Sequence, residues 1–316
     1  MRLVLWPKGF TFAMAASAIS SKQSVDPNRS ALSLVRRLEA PRALVERGGD
    51  VEGVEFWEEY ADLLDEARQE FGCKHQRVYT PSFDDCFVPE IVEALENNDV
   101  DLRKLVKPTT VNGVYALRLL NDEFIADLID EFEHLRSSGI PLRRPNGMNR
   151  HGCILSHLGF QEGFLNSTLA PVLRKLGLAL YPKALRAEDL NGEVYGFSVR
   201  YEAISGGDIQ LAEHADGSAL TFNLCLGGGK SSFDGGHLLF RGVRFHEEDA
   251  HLQQQQAIPH EPGVALIHLG QHLHAAATLQ SGIRENLVLW LTGKHGYVRI
   301  APYADEESDD MGRVFY

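Results

Sequence analysis

At 316 residues the chain suits one large domain with an extension or two modest ones, and 44% hydrophobic with 24% charged residues is ordinary for a globular protein. A formal charge of −13 and a pI near 5.5 set the surface against nucleic acid and anionic membrane, and no apolar run reaches the ~20 residues of a membrane helix. Cys73, Cys86, Cys153 and Cys225 form no CxxC pair, which argues against a disulfide framework or zinc finger and for free thiols in a reducing, cytoplasmic setting.

Within residues 1–30, the first 25 carry Arg2, Lys8 and Lys22 and no acid before Asp26. With the small-residue stretch Ala13-Met14-Ala15-Ala16-Ser17-Ala18, they are expected to be a flexible terminus, an organelle-targeting segment being the alternative. From 31 to about 75, apolar and charged residues alternate at helical spacing, as in Phe56, Tyr60, Leu63, Leu64 and Ala67. Pro81-Ser82-Phe83-Asp84-Asp85 and Lys107-Pro108-Thr109-Thr110 are turn-like breaks flanking another helical stretch, so 31–108 is expected to be a helical N-terminal region.

The clearest helix follows. Asn121 caps it, Asp122 and Glu123 suit its positive end, and Phe124, Ile125, Leu128, Ile129, Phe132 and Leu135 form the apolar stripe until Ser137-Ser138-Gly139. Arg136, Arg143, Arg144 and Arg150 make a local basic patch, expected to be a solvated loop. A second helix is expected from about Gly163 to Leu180, with Pro171 its weak point. From Gly192 onward short β-type runs alternate with Gly, Ser and Asp: Val194 to Tyr201, Ala219 to Leu226, Gly236 to Phe240, Gly263 to Ile267 and Asn286 to Leu291. That spacing predicts a sandwich or jelly roll. Gln253 to Gln256 is expected in a loop.

Among these runs lies His214-Ala215-Asp216, followed by His274 and Arg284. Two histidines and a carboxylate are the donor set that holds non-heme Fe(II) on one face and leaves its other positions open. If Leu211 to Asp216 is strand-like, His214 and Asp216 leave the same face. Arg284 adds a permanently charged fork suited to a small dicarboxylate. In a chain with 13 histidines, roughly one HxD triplet arises by chance, so the triplet alone leaves ordinary structural histidines open.

Competing motifs are weaker. Gly229-Lys230-Ser231 resembles a P-loop tail, but Leu224 stands where the backbone would need glycine to wrap phosphates. Asp234-Gly235-Gly236 reads as a tight turn into a strand. His237, His246, His251, His260, His268, His272 and His295 are expected to be structural or exposed, with His268 and His272 the candidates for exception because they neighbour His274. No nucleophile elbow or Cys/His pairing is present.

The stretch from His214 through Leu224, then Phe233-Asp234-Gly235-Gly236, Pro262-Gly263, His274, Gly282 and Arg284, resembles the 2-oxoglutarate- and Fe(II)-dependent dioxygenases in the branch containing the lysyl hydroxylases. Arg144-Pro145-Asn146-Gly147-Met148-Asn149 resembles the segment found in the oxygenase domain-containing protein 2 group. The resemblance implies an α+β fold, a double-stranded β-helix (jelly roll) core with buttressing helices, over 109–316 beyond the helical extension. It implies iron on His214, Asp216 and His274, 2-oxoglutarate on Arg284, and Tyr201, Thr221 and Asn223 toward the cosubstrate, with ascorbate as an accessory reductant.

The implied reaction is hydroxylation of a C–H bond, releasing succinate and carbon dioxide. Kinship with lysyl hydroxylases suggests a protein or peptide side chain as substrate, a small molecule being the alternative. Trp290 stands where the nucleic-acid demethylases carry a second arginine, which argues against a repair enzyme. Glu202 to Asp208 looks like an insertion, which loosens the assignment of Tyr201. The rivals are a catalytically silent metal-binding sensor, in which Arg284 would have no use, and a cupin-type metalloenzyme indifferent to 2-oxoglutarate.

Overall fold

The computed structural model describes residues 54–97, 101–229, 232–243, 254–296, 298 and 300. The expectations for residues 1–30, for the P-loop-like Lys230-Ser231, for His246 and His251 and for Gln253 therefore lie outside the described residues.

Helical spacing is realised in α1 (Val54–Glu59) and α2 (Ala61–Phe71), where Phe56, Leu64 and Ala67 bury against Ile140. A short 3-10 turn (Gln76–Val78), α3 (Phe83–Cys86), α4 (Pro89–Glu96) and a second 3-10 turn (Leu102–Leu105) follow. The expected break at Lys107 to Thr110 is instead partly strand. β1 (Lys107–Pro108) pairs antiparallel with β2 (Tyr115–Arg118) at the sheet edge, the position where proline is tolerated because its missing N–H is not needed.

Helix α5 (Asp122–Ser137) begins where expected, with Asn121 Oδ1 accepting the Phe124 amide at 2.7 Å. Phe124, Ile125, Leu128, Phe132 and Leu135 are its buried face. β3 (Gly152–Ile154) is an edge strand of three residues, too short to show alternation in sequence. The single helix expected over Gly163 to Leu180 differs in pitch: Gln161–Leu169 is π-helical and α6 (Ala170–Leu180) is α-helical. Pro171 sits in the first turn of α6, where its missing N–H is harmless, and the wider i→i+5 turn precedes it.

The remaining strands are β4 (Tyr195–Glu202), β5 (Leu211–His214), β6 (Leu220–Gly227), β7 (Phe233–Gly235), β8 (Leu238–Val243), β9 (Gln256–Ile258), β10 (Val264–Leu269), β11 (His272–Ala276) and β12 (Leu279–Leu291). An eight-stranded sheet runs β1-β2-β10-β6-β12-β4-β3, with β7 on the far end of β12, and a four-stranded sheet runs β5-β11-β8-β9. Their pairings are antiparallel, so the chain is α+β.

Strand alternation assigns the two faces of the large sheet. Leu220, Phe222, Leu224, Leu287, Leu289 and Ile267 pack on α5, α6 and the π-helix in one core that also takes in Val78, Phe87 and Ile91. The opposite face gives Phe197, Val199, Tyr201, Leu266 and Val288 to a second cluster with Leu238, Phe240 and Ala276 of the small sheet. Covered on both sides, β6 is buried throughout.

Two members of the expected basic patch are structural, correcting the solvated-loop expectation. Arg136 makes a bidentate pair with buried Glu285 (2.9 and 2.7 Å), and Arg150 meets Asp208 at 3.2 Å. Arg143 lies 5.9 Å from the centroid of the Trp57 ring.

Candidate metal and dicarboxylate site

His214 is the last residue of β5 and pairs directly with His274 of β11. The strand ends there, and Asp216 stands just beyond it, held by its own N–H donating to the Gly270 carbonyl at 2.8 Å. The expectation of a strand through Asp216 is therefore corrected by two residues. A Cβ at Gly270 would run into the Ser218 backbone, so glycine is required for this close approach.

One ligand atom from each of His214, Asp216 and His274 lies within 4.8 Å of the others. Asp216 Oδ1 is 3.4 Å from His214 Nε2 and 3.6 Å from His274 Nε2. Each imidazole places Nδ1 2.9 Å from a backbone carbonyl, Ala212 for His214 and His272 for His274. The carbonyl accepts, so Nδ1 carries the proton and the Nε2 lone pairs converge, as metal ligation needs.

Thr221 donates to Asp216 Oδ2 at 2.7 Å and accepts from Ser218 at 2.7 Å. Burial alone would raise the Asp216 carboxyl, but His274, then His214 and His268, outweigh it and hold it well below the usual carboxylate range. For His214 burial works downward, but the Asp216 hydrogen bond and charge carry it upward; for His274 burial prevails and its value falls.

Arg284 is the largest fully buried side chain among the described residues, at 0% exposure. Nη1 donates to the Gly236 carbonyl, while Nε and Nη2 have no hydrogen-bond partner among the described residues. Its Cζ lies 4.5 Å from the centroid of the Tyr201 ring, and β12 pairs the two residues directly. A buried guanidinium with two idle donors is costly by itself and fits an incoming carboxylate. Gly236, at φ +67°, makes room: a Cβ there would stand 2.7 Å from Arg284 Nη1.

A cavity opens beside the triad, and its wall includes Tyr201, on whose ring Arg284 stacks. His214, Asp216, His274, Tyr201 and Asn223 line it as expected; Thr221 is placed differently, with its hydroxyl committed to Asp216 rather than to the cavity wall. Asn146, Asn149, Asn286 and Trp290 also line it, though sequence reasoning gave them no role there. Asn286 and Trp290 were findable, since they lie two and six residues past Arg284 and share its face of the strand.

Of the two candidate exceptions, His268 is drawn in, with Nε2 3.9 Å from Asp216 Oδ2, whereas His272 turns its Nε2 to the Asn112 carbonyl at 3.3 Å. Burial, then His274, push His268 down to about 3, so it stands neutral beside the carboxylate. His237 and His295 are exposed.

The family model described as OGFOD2-like domain matches residues 67–186. A protein of Danio rerio named 2-oxoglutarate and iron-dependent oxygenase domain-containing protein 2 is 32% identical over 242 residues, covering 72% of this chain and 65% of that protein. Its Mus musculus namesake is 30% identical over 249 residues, covering 74% and 68%. The Arabidopsis thaliana protein ICU11, described as a 2-oxoglutarate and iron-dependent oxygenase domain-containing protein, is 28% identical, covering 73% and 57%. The chain thus spans between 57% and 68% of the length of these relatives. Among solved structures, the α-ketoglutarate-dependent carbocyclase SnoK is similar at 14% identity and a TM-score of 0.45, over 62% of this chain and 86% of that one.

Proposed function

The chain belongs to the 2-oxoglutarate- and iron-dependent oxygenases of the domain-containing protein 2 group, and from that premise we propose that it is an Fe(II)- and 2-oxoglutarate-dependent dioxygenase hydroxylating a C–H bond. The observation that carries this is a converged His–Asp–His triad on the wall of a cavity, together with a fully buried arginine stacked on Tyr201 of that wall, whose Nε and Nη2 have no hydrogen-bond partner among the described residues. We take the two facing sheets as a double-stranded β-helix.

His214, Asp216 and His274 would hold the iron, and Arg284 with Tyr201 beside it would hold the far carboxylate of 2-oxoglutarate. When bound, iron and 2-oxoglutarate together supply the oxidising power for hydroxylation, the cosubstrate leaving as succinate and carbon dioxide. The protein's own share is positional. The Ala212 and His272 carbonyls fix the imidazole tautomers, and Thr221 orients Asp216. The apolar side chains Phe197, Val199, Leu238 and Val288 line the cavity and keep water from the reacting centre.

For the substrate we favour a protein or peptide side chain. Support comes from exposed Met148, Ile204 and Ile209, which flank in sequence the cavity residues Asn149, Tyr201 and Leu211. Hydrogen bonds join their loops: the Arg150 and His151 amides donate to Asp208, at 2.7 and 3.1 Å.

The test is anaerobic addition of Fe(II) and 2-oxoglutarate, watching for the visible iron-to-ketoacid charge-transfer band. It should form in wild type and, in folded Arg284→Leu, require at least about a hundredfold more 2-oxoglutarate. A folded wild type that forms no band at any 2-oxoglutarate concentration refutes the assignment.

A further inference from the structure

Behind Asn223 sits a buried histidine used neither by the triad nor by Arg284. His260 precedes β10 and is 5% exposed, and Asn286 on β12 is 2% exposed. His260 Nε2 is 2.9 Å from the Asn223 carbonyl oxygen, and its Nδ1 is 3.4 Å from Asn286 Nδ2. The same Asn286 Nδ2 donates to Asn223 Oδ1 at 2.9 Å.

These contacts fix every proton in turn. A backbone carbonyl can only accept, so Nε2 of His260 carries the proton. Burial, then the Arg284 charge, push His260 down to about 3, so at neutral pH the ring holds one proton and Nδ1 is an acceptor. The Val264 carbonyl also faces the ring, and the 2.9 Å contact with Asn223 decides which carbonyl receives that proton. Asn286 must therefore turn its NH₂ toward Nδ1, and that NH₂ meets the oxygen end of Asn223. Asn223 is left with its own NH₂ free of partners among the described residues, on the cavity wall.

On β12 one strand face carries Arg284 and then the cavity-lining Asn286, Val288 and Trp290, and Trp290 pairs with Thr221 beside Asp216. Asn223 pairs with Val288, between Arg284 and Trp290 on that face, so a dicarboxylate reaching from Arg284 toward the triad would pass it. We propose that His260 is a positioning residue for the cosubstrate: through Asn286 it orients the Asn223 carboxamide so that an N–H donor, not a carbonyl oxygen, faces the dicarboxylate. This rests on the reading of the site given above. Without His260 the Asn286 and Asn223 amides are free to flip, and an oxygen would then face an anion.

Two measurements test it. Protein loaded with Mn(II), a redox-silent stand-in, is titrated calorimetrically with 2-oxoglutarate. His260→Ala should weaken 2-oxoglutarate binding about tenfold, the loss of one hydrogen bond to a charged group, while Mn(II) affinity alone stays unchanged. His260→Gln, whose amide N–H can stand where Nε2–H stood, should remain within about threefold of wild type. Separately, ¹⁵N-histidine spectra of the wild type should show the Nε2–H tautomer for His260.

An Nδ1–H tautomer overturns the proposal, and this holds even if His260→Ala does not fold. Wild-type affinity in His260→Ala, or a Gln variant as weak as Ala, also overturns it. If wild type binds Mn(II) but not 2-oxoglutarate, the proposed function itself fails and takes this inference with it; the two failures are thus distinct.

Discussion

Side chains around the triad and the arginine are held by single contacts, so single substitutions have separable effects. Thr221 gives its proton to Asp216 Oδ2, and the carboxylate has no other side-chain hydroxyl against it among the described residues. Thr221→Val keeps the shape and removes that hydrogen bond, so Fe(II) affinity should fall about tenfold in a metal-competition titration. Gly236 is different. At φ +67°, with only 2.7 Å between an added Cβ and Arg284 Nη1, Gly236→Ala must displace the guanidinium. The KM for 2-oxoglutarate should rise about tenfold or more with Fe(II) affinity unchanged, because the disturbance falls on the clamp alone. Equal losses in both would mean that the strand, not the clamp, had moved.

At the scale of elements, β12 carries Arg284 and is anchored from outside by α5. Arg136 on that helix grips buried Glu285 through two hydrogen bonds, Arg200 of β4 lies 3.6 Å from the same carboxylate, and Glu133 bridges both arginines. Removing one partner strands a buried charge, which is the expensive way to break such a pair. Arg136→Met should cost about 3 kcal/mol, since Arg200 remains nearby, and lower Tm by roughly 6 °C or more in a thermal melt. The ends of α5 were readable from Asn121 and Gly139 because capping is local chemistry. The change of pitch before Pro171 was not, although the proline itself marked the place. Nor were β1 and β3, strands of two and three residues, because alternation needs more positions than they have.

Across the whole molecule, histidines kept neutral by the fold set an acid limit. His157 is pushed down to about 4 by burial, then by Arg143 and Arg68, and His260 to about 3. Both start from 6.5, so between about 6.5 and 4 the unfolded chain binds more protons than the folded one. Stability therefore falls as pH is lowered through that window and is regained as pH rises. Carboxylates add little there, since Asp130, held down to about 2 by Lys74 and His75, loses its contribution only below its ordinary value of 3.8. Denaturant unfolding at pH 7 and at pH 4.5 should show the drop, and His157→Gln should flatten it. A profile that stays level from pH 7 to 4.5 would show that the fold does not keep these rings neutral.

The chain's own pattern determined what is local or periodic: the α5 cap and stripe, the run of short strands, and a His–Asp–His–Arg series bordering them in order. It could state that Arg284 is a fork and that Asp216 is a carboxylate, because those properties belong to the residue. What only the tertiary structure decided is which distant groups each of them meets. Glu285 receiving an arginine 149 positions earlier in the chain, from a helix packed on its strand, and His260 reaching Asn286 across 26 positions both arise from elements brought together by the closed fold. Hydrogen bonds act over about 3 Å and leave no periodic trace in the sequence, so their partners become visible only when the sheets have closed on one another.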